Sequence, residues 1–285
     1  MIKTVNYFFQ AILIFTFFLM GRILGLNLSR IIFAQLFALV GPFFRSKKII
    51  KNNLHIAFNG ISKINENSIA KNMWKNYGMT FIEYIFLNYF RKKNSHRNIN
   101  DNANLSKIIT ENKPVIFVSG HFANFELMSM EITKKNIQLA TIYRPLNNFF
   151  LNPFMEYLRK KYICKNQIKK GINGVRETVE YLKKNYSIAL MIDQRVSEGV
   201  RINFFNKLAL TTTLPAQLSM KFNLDIIPVS IKRVKNNRFV IEFQDRIKPK
   251  NFKNKIDLSL KLNKVLEKMI NKNSHQWIWS HNRWK

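Results

Sequence analysis

The stretch Val115–Glu126, VIFVSGHFANFE, decides the fold of this chain and also places a histidine close to a carboxylate. Its apolar, β-branched start predicts a strand buried on both faces, and Gly120 permits a sharp turn out of that strand. Asn124 is a favourable N-cap for a helix that begins at Phe125. Five residues of α-helix would turn the chain through about 500° and separate His121 from Glu126, so His121 is predicted in the turn.

His121 and Glu126 are a candidate general base and its orienting carboxylate. Glu126 is expected in the first helical turn, where the helix dipole favours an ionised carboxylate. There it can hold one imidazole nitrogen while the other nitrogen accepts a proton. A loop histidine beside a helix-capping glutamate is equally typical of the bare spacing, so the rest of the chain has to separate the two interpretations.

The segments around this stretch alternate between strand and helix patterns. Predicted strands are Val115–Ser119, Ile137–Tyr143, Ser187–Ile192, Asp225–Ile231 and Arg238–Phe243. Predicted helices are Ser62–Asn88, Asn124–Lys134, Pro153–Tyr162, Gly174–Lys184, Leu214–Phe222 and Asp257–Ile270, and Asn94–Asn104 is a predicted polar linker. This alternation predicts an α/β fold, a single domain with a mixed central sheet flanked by helices. An N-terminal membrane helix is expected to precede this domain. We expect an anchor over 1–21, a membrane-proximal helical region over 22–104 and the α/β core over 105–285.

Three polar groups follow predicted strands and are candidate site residues. His121, Arg144 and Asp193, the last followed by Gln194, lie where strands end, and open α/β sheets bind ligands beyond those carboxyl ends. The guanidinium of Arg144 suits a phosphate or a developing oxyanion, and a structural ion pair with Asp193 is the alternative. Asp193 could equally shape the site or form a turn.

Further motifs follow one another along the chain. They are NLHIAF from Asn53, Gly78 and Glu83, YRPLN from Tyr143, Asp193-Gln194, Gly199 with Phe204-Phe205, Ala209 with Thr211, and QWIWSHNRW from Gln276. Together with the block from His121 to Glu126, this ordered set resembles the late acyltransferases of lipid A biosynthesis, the lauroyl/myristoyl transferase branch of the lysophospholipid acyltransferase-like superfamily. The chain departs from the family pattern at Ala123, Asn206 and Ser274, where Gly, Gly and Pro are common.

The resemblance implies that His121 removes the proton of a substrate hydroxyl, which then attacks the thioester of an acyl carrier protein. Glu126 would orient the imidazole, and Arg144 or the backbone N–H groups after Gly120 would stabilise the oxyanion. Asn124, Arg144, Asp193 and Gln194 are expected to bind substrate, and no cofactor or metal is implied. Family members acylate a disaccharide lipid that carries phosphates and Kdo sugars. As alternatives, the acceptor could be another glycolipid or a lysophospholipid, or the chain could be a non-catalytic, basic, membrane-tethered binding protein.

Composition favours anionic partners. The chain has 47 Lys and Arg against 16 Asp and Glu, a formal net charge of +31, and neither a zinc-finger spacing nor an RNP-type motif points to nucleic acid. The acceptor lipid, the acidic carrier protein and the membrane surface fit this charge. Cys164 is the single cysteine, so no intramolecular disulfide forms.

Other reaction classes lack their motifs. No G-x-S-x-G elbow surrounds Ser119 and no H-E-x-x-H is present, which argues against an acyl-enzyme and against metal-dependent hydrolysis. The alternating His and Trp residues near the C-terminus are predicted to pack under the sheet rather than to act in catalysis.

The N-terminus predicts a membrane anchor. Thr4–Gly21 carries no charge and is about as long as the ~20 residues that a spanning helix needs. The basic residues Arg22, Arg30, Arg45, Lys47 and Lys48 follow it, whereas only Lys3 precedes it. This asymmetry predicts a single-pass inner-membrane protein with its catalytic domain in the cytoplasm. Ile31–Phe44 is too short to span, and an interfacial or re-entrant helix and a buried domain helix are both open for it.

Overall fold

The computed structural model describes residues 2–101 and 104–285, and its centre is a seven-stranded sheet. The strands are β1 (Arg97–Asn100), β2 (Ile116–Ser119), β3 (Leu139–Tyr143), β4 (Asn166–Lys169), β5 (Ser187–Met191), β6 (Val200–Phe204), β7 (Lys207–Thr211), β8 (Ile226–Arg233) and β9 (Phe239–Phe243). The sheet order is β1-β9-β8-β2-β5-β3-β4, and β6 and β7 form a separate antiparallel hairpin. Within the large sheet, β8 and β9 pair antiparallel and the other neighbours pair parallel, so the predicted mixed α/β sheet is confirmed.

Helices, several of which precede the first strand in the chain, pack against the sheet. They are α1 (Ile2–Phe44), α2 (Lys47–Ala57), α3 (Lys63–Glu83), α4 (Leu87–Lys92), α5 (Asn104–Glu111), α6 (Glu126–Lys134), α7 (Asn152–Tyr162), α8 (Ile172–Lys183), α9 (Leu214–Phe222) and α10 (Lys255–Lys272). Strand β1 lies inside the predicted linker 94–104, of which residues 102 and 103 are outside the described residues, and it pairs with β9. The sheet therefore begins before residue 105, where we expected the α/β core to start.

Helix α1 is broken at Gly25, which has φ 75° and ψ 168°. Only glycine adopts this backbone region readily, and nothing lies within 4 Å of where a Cβ would be, so the glycine serves the bend rather than a close contact. The Ser29 hydroxyl donates to the Gly21 carbonyl at 2.9 Å, and the Phe17 and Phe33 rings meet edge to face at 5.5 Å. The residues before and after Gly25 therefore form a helical hairpin, with segments 2–24 and 26–44.

The second segment of this hairpin packs on α3 by one face. A Cβ on Gly78 would lie 2.1 Å from the Phe33 carbonyl oxygen, so the two helix backbones touch at a position that tolerates no side chain. Phe33 is 2% exposed, whereas Leu39 and Phe43 on the outer face are 71% and 80% exposed. Residues 31–44 are thus not a fully buried domain helix, because they form a helix with one docked face and one apolar outer face.

The first segment lies along the body of the protein over its whole length. Near its start the Asn148 amide donates to the Tyr7 carbonyl at 2.8 Å, and near its end Arg22 donates to the Ile85 carbonyl at 3.2 Å. Its outer face is apolar, with Phe9 at 63% and Leu19 at 64% exposure. Among the described residues, α1 alone is long and apolar enough to cross a membrane.

Candidate active site

Strand pairing explains why His121 and Asp193 meet although they are 72 residues apart. Strands β2 and β5 are parallel neighbours, and Ser119 is paired with Met191 in their register. His121 and Asp193 each follow these paired residues by two positions, so both side chains lie at the carboxyl edge of the sheet. A Cβ on Gly120 would be 3.2 Å from the Asp193 Oδ2 atom, so a side chain there would crowd the approach of this carboxylate.

Asp193 holds the imidazole of His121. The His121 Nδ1 and Asp193 Oδ1 atoms are 2.8 Å apart, and the His121 backbone N–H donates to Oδ2 at 2.8 Å. The Trp277 indole N–H donates to the same oxygen at 2.8 Å. Asp193 is 2% exposed, while the His121 side chain keeps 19% of its surface.

This contact assigns the proton of the neutral imidazole to Nδ1, because Asp193 as a carboxylate can only accept. Among the described residues no group bonds to Nε2 of His121, and this atom is not buried. Its lone pair is therefore available to accept a proton from a substrate.

The pKa values of the pair reflect this contact. Burial acts to lower the pKa of His121, but the charge and hydrogen bond of Asp193, helped by the charge of Glu126, outweigh burial and raise it. Burial likewise acts to raise the pKa of Asp193, but the charge of His121, together with the hydrogen bonds from His121 and Trp277, overcomes this and lowers the pKa to about 2. At neutral pH Asp193 is a carboxylate that stabilises the protonated form of His121.

The predicted orienting role of Glu126 is corrected by this geometry. Glu126 does lie in the first turn of α6, as expected, but its carboxylate accepts from the Arg159 Nε at 2.8 Å and from the Tyr84 hydroxyl. It acts on His121 through its charge alone. Asp193 takes the orienting position, and the alternative that Asp193 anchors Arg144 is also wrong, because the Asp193 carboxylate binds His121 and Trp277.

Asn124 faces the interior and not a substrate. It is 1% exposed, and its side-chain amide donates to the Glu83 Oε2 at 2.9 Å. It is not the N-cap of α6 either, because Phe125 occupies that position without a side-chain cap. Asn124 therefore fixes the loop that carries His121 onto α3, and we withdraw its predicted substrate contact.

Glu83 is the centre of a buried cluster of charges beneath this loop. It is fully buried and pairs with Arg30 at 2.6 Å and with Arg233 at 2.5 Å. On the same helix the Thr80 hydroxyl donates to the Ala123 carbonyl at 2.9 Å. The cluster links the α1 hairpin, α3, the end of β8 and the loop that carries His121.

The backbone N–H groups after Gly120 are engaged within the protein. The His121 N–H binds Asp193, the Phe122 N–H binds the Gly120 carbonyl at 2.9 Å, and the Ala123 N–H binds the Gln276 carbonyl at 3.2 Å. These three N–H groups are therefore not available to an oxyanion. Ala123 has φ 45°, the left-handed region that glycine adopts most easily, which explains why glycine is common here in the family that the chain resembles.

A cavity of about 1450 Å³ opens beside the strand ends. Its apolar wall comes from both segments of α1 and from α3, including Ile14, Phe37 and Phe81. Gln194, which follows Asp193, also lines it, although His121 and Asp193 themselves do not. The charged side chains of the lining are Arg45, Arg144, Lys170, Arg195, Lys285 and Glu198. The cavity thus combines an apolar wall with an excess of positive charge.

Arg144 is exposed, and both Arg144 and Gln194 line this cavity. Within the described residues Arg144 makes no ion pair, so its guanidinium is available to a ligand. No three His, Cys, Asp or Glu side chains of the described part of the chain are grouped so as to hold a metal ion.

The family model described as bacterial lipid A biosynthesis acyltransferase matches residues 2–285. The chain belongs to this family. A solved structure of the 1-acyl-sn-glycerophosphate (LPA) acyltransferase PlsC from Thermotoga maritima is also similar, with 13% identity, a TM-score of 0.44, and coverage of 89% of this chain and 99% of that chain. We transfer no residue role from this distant likeness. The comparison with curated proteins gives no match.

The C-terminal motif of this lipid A acyltransferase family member supports the site directly. Trp277 and Trp279 are 1% and 0% exposed and pack edge to face at 4.6 Å, as the packing prediction expects. The same Trp277 also donates to Asp193, a role that we did not predict from the sequence. A hydrogen bond from Trp277 could have been anticipated, because the indole N–H of a buried tryptophan normally requires an acceptor.

Proposed function

We propose that this acyltransferase moves a fatty acyl chain from an acyl carrier protein thioester to a hydroxyl of a lipid A precursor. The observation that carries the mechanism is the His121 imidazole, fixed through Nδ1 on a buried carboxylate and open at Nε2. This is the arrangement that a general base requires. The apolar wall and the positive charges of the cavity support a substrate that is both lipidic and anionic.

In the proposed reaction, Nε2 of His121 takes the proton of the acceptor hydroxyl while the hydroxyl oxygen attacks the thioester carbonyl carbon. The C–O bond forms, and the imidazolium is stabilised by Asp193. Collapse of the tetrahedral intermediate breaks the C–S bond, and the proton on Nε2 passes to the leaving thiolate. Arg144 is the proposed partner of the oxyanion, because its guanidinium is unpaired and lines the cavity.

We place the enzyme at the cytoplasmic face of the inner membrane, where the basic residues after Gly21 favour the anionic leaflet. If the first segment of α1 spanned both leaflets, the residues that contact it would also lie within the bilayer. The backbone carbonyl of Tyr7, near the start of α1, accepts from the Asn148 amide, and Asn148 lies in a turn whose irregular backbone is unfavourable in hydrocarbon. We therefore revise the single-pass expectation and propose that the α1 hairpin lies within one leaflet.

The test is acyl transfer by purified full-length protein from labelled acyl carrier thioesters, with mass analysis of the lipid product. Candidate acceptors are a phosphorylated lipid A precursor, another glycolipid and a lysophospholipid. His121→Ala should lower the transfer rate by on the order of 10² to 10⁴, the range typical of losing a positioned general base. The matched control is His275→Ala, because His275 is exposed and, within the described part of the chain, its side chain bonds only to its neighbour Ser274.

The control should transfer at the wild-type rate. If His121→Ala also transferred at that rate, the mechanism would fall. A wild-type protein that binds these lipids without turnover would instead support the non-catalytic alternative.

A further inference from the structure

His281 is a second histidine close to the catalytic pair, and its side chain is held on one side only. It lines the cavity and is partly exposed. Its Nε2 accepts the backbone N–H of Arg195 at 3.0 Å, and its own carbonyl accepts the Asn53 amide at 2.7 Å. The backbone and one ring nitrogen are thus both fixed.

The bond from Arg195 determines the tautomer. A nitrogen that accepts an N–H carries no proton, so neutral His281 has its proton on Nδ1. Among the described residues Nδ1 has no bonding partner, and it is not buried. A hydrogen-bond donor of known position is therefore accessible at the cavity lining.

The surroundings keep this donor neutral. Burial lowers the pKa of His281, and the charges of His121, Arg283 and Arg45 lower it further, against an opposing effect of Asp193. Arg45 and Lys285 line the same cavity. A neutral donor near two cations is suited to an anionic oxygen.

We propose that His281 is a substrate-binding residue whose Nδ1–H donates to a phosphate oxygen of a bound substrate, with Arg45 supplying charge. The inference rests on the proposed function. Two substrates of that reaction carry phosphate, namely the acceptor lipid and the phosphopantetheine arm of the carrier protein, and the experiment distinguishes them.

Two substitutions separate this role from a structural one. In His281→Asn the side-chain NH₂ can occupy the position of Nδ1, so the donor to the ligand is kept and the acceptor for Arg195 is lost. In His281→Gln the side-chain oxygen can occupy the position of Nε2, so the bond from Arg195 is kept and the donor is lost. A residue that only holds the Arg195 loop would tolerate Gln and not Asn.

Steady-state acyl transfer is measured with both substrates varied in turn, using a phosphorylated acceptor and its dephosphorylated counterpart. We expect His281→Gln to raise KM roughly 10- to 100-fold, the effect of losing a hydrogen bond to a charged group, with little change in kcat, and His281→Asn to stay close to wild type. If the acceptor provides the phosphate, KM for the acceptor rises and the difference disappears with the dephosphorylated lipid. If the carrier provides it, KM for the thioester donor rises instead.

Three results would overturn the inference. They are a greater loss in His281→Asn than in His281→Gln, a His281→Gln variant equal to wild type, and a loss that persists on dephosphorylated acceptor while KM for the donor is unchanged. Wild-type turnover in the same assay tests the proposed function separately. If the wild type fails to turn over, titration of the phosphorylated lipid onto the two variants still compares their binding.

Discussion

Three hydrogen bonds converge on the carboxylate of Asp193, and together they leave the imidazole of His121 a single orientation. In Asp193→Asn, one of the two oxygens becomes an NH₂ donor. The backbone N–H of His121 and the indole N–H of Trp277 both require an acceptor and keep the remaining oxygen. The NH₂ group is therefore expected to face Nδ1 of His121. That favours the tautomer protonated on Nε2, which cannot act as the base. We expect acyl transfer to fall by on the order of 10³ to 10⁴, measured as kcat.

The matched comparison is Glu126→Gln. This substitution leaves the His121–Asp193 contact in place and weakens only the pairing with Arg159 and Tyr84, so its loss of kcat should be clearly smaller. If Glu126→Gln were the more damaging of the two, the original assignment of Glu126 as the partner of His121 would have to be restored.

The rate should also depend on pH through His121. The base must be unprotonated, and its pKa is raised above the ordinary 6.5, so activity should fall as pH is lowered through a midpoint above 6.5. Asp193 and Glu126 raise this pKa, while burial and Arg159 oppose them. Removing the charge in Asp193→Asn should therefore move the midpoint to lower pH while lowering the plateau. A kcat/KM profile of the wild type and the variant measures both, and an unmoved midpoint would separate His121 from the titration.

Among the structural elements, α3 holds the loop that carries His121, and the bond from Asn124 to Glu83 is the contact that can be removed with the least other change. Asn124→Ala deletes the bond to Glu83, whose carboxylate still pairs with Arg30 and Arg233. We expect kcat to fall roughly 10- to 100-fold, because small displacements of a catalytic group are costly, while KM changes little.

Asn104→Ala is the control for the loop variant. Asn104 is also buried, at 5% exposure, and its amide donates to the Phe243 and Gln244 carbonyls at the end of β9 and, among the described residues, makes no hydrogen bond to the loop that carries His121. Both variants should lower the free energy of unfolding, measured in detergent, but only Asn124→Ala should lower kcat. An equal effect on kcat in both would mean that general destabilisation explains the loss.

The elements that were predicted from the sequence have strong periodicity or strong end signals. Helix α9 agrees at both ends, since Pro215 marks its first turn and Asn223 ends it in the left-handed conformation. Hairpin β6–β7 was missed because its turn, Phe205-Asn206, has positive φ at both residues without a glycine to indicate it. Strand β4 was missed because its sequence, NQIK, is mostly polar.

The site was predicted only in part for a related reason. The sequence places His121, Arg144 and Asp193 after strands, but it does not state which strands are neighbours. Glu126 was chosen because it is near in sequence, whereas Asp193 becomes the partner only through the β2–β5 register. The contribution of Trp277 depends on a segment 84 residues beyond Asp193, which no local pattern connects to it.

For the whole molecule, the position of the N-terminus distinguishes a hairpin in one leaflet from a spanning helix. Lys3 lies in the first turn of the first segment, and Cys164 is buried, so Lys3→Cys introduces a single accessible thiol among the described residues. We expect a membrane-impermeant maleimide to leave intact spheroplasts unlabelled and to label the thiol after lysis. Labelling of intact spheroplasts would show that the first segment crosses the bilayer and would move the contact with Asn148 into the membrane.

The α1 hairpin is a wall of the cavity, and in the proposed placement it is also the lipid-facing surface of the protein, which affects how an acyl acceptor arrives. Extracting a hydrocarbon chain into water costs about 0.8 kcal/mol for each CH₂, so a ten-carbon chain would meet a barrier of roughly 8 kcal/mol. A cavity walled by the hairpin allows the acceptor to diffuse in sideways and keep its chains in an apolar environment. Turnover then depends on how crowded the leaflet is with acceptor rather than on its bulk concentration. Diluting the acceptor with inert lipid at constant total acceptor should therefore slow the enzyme.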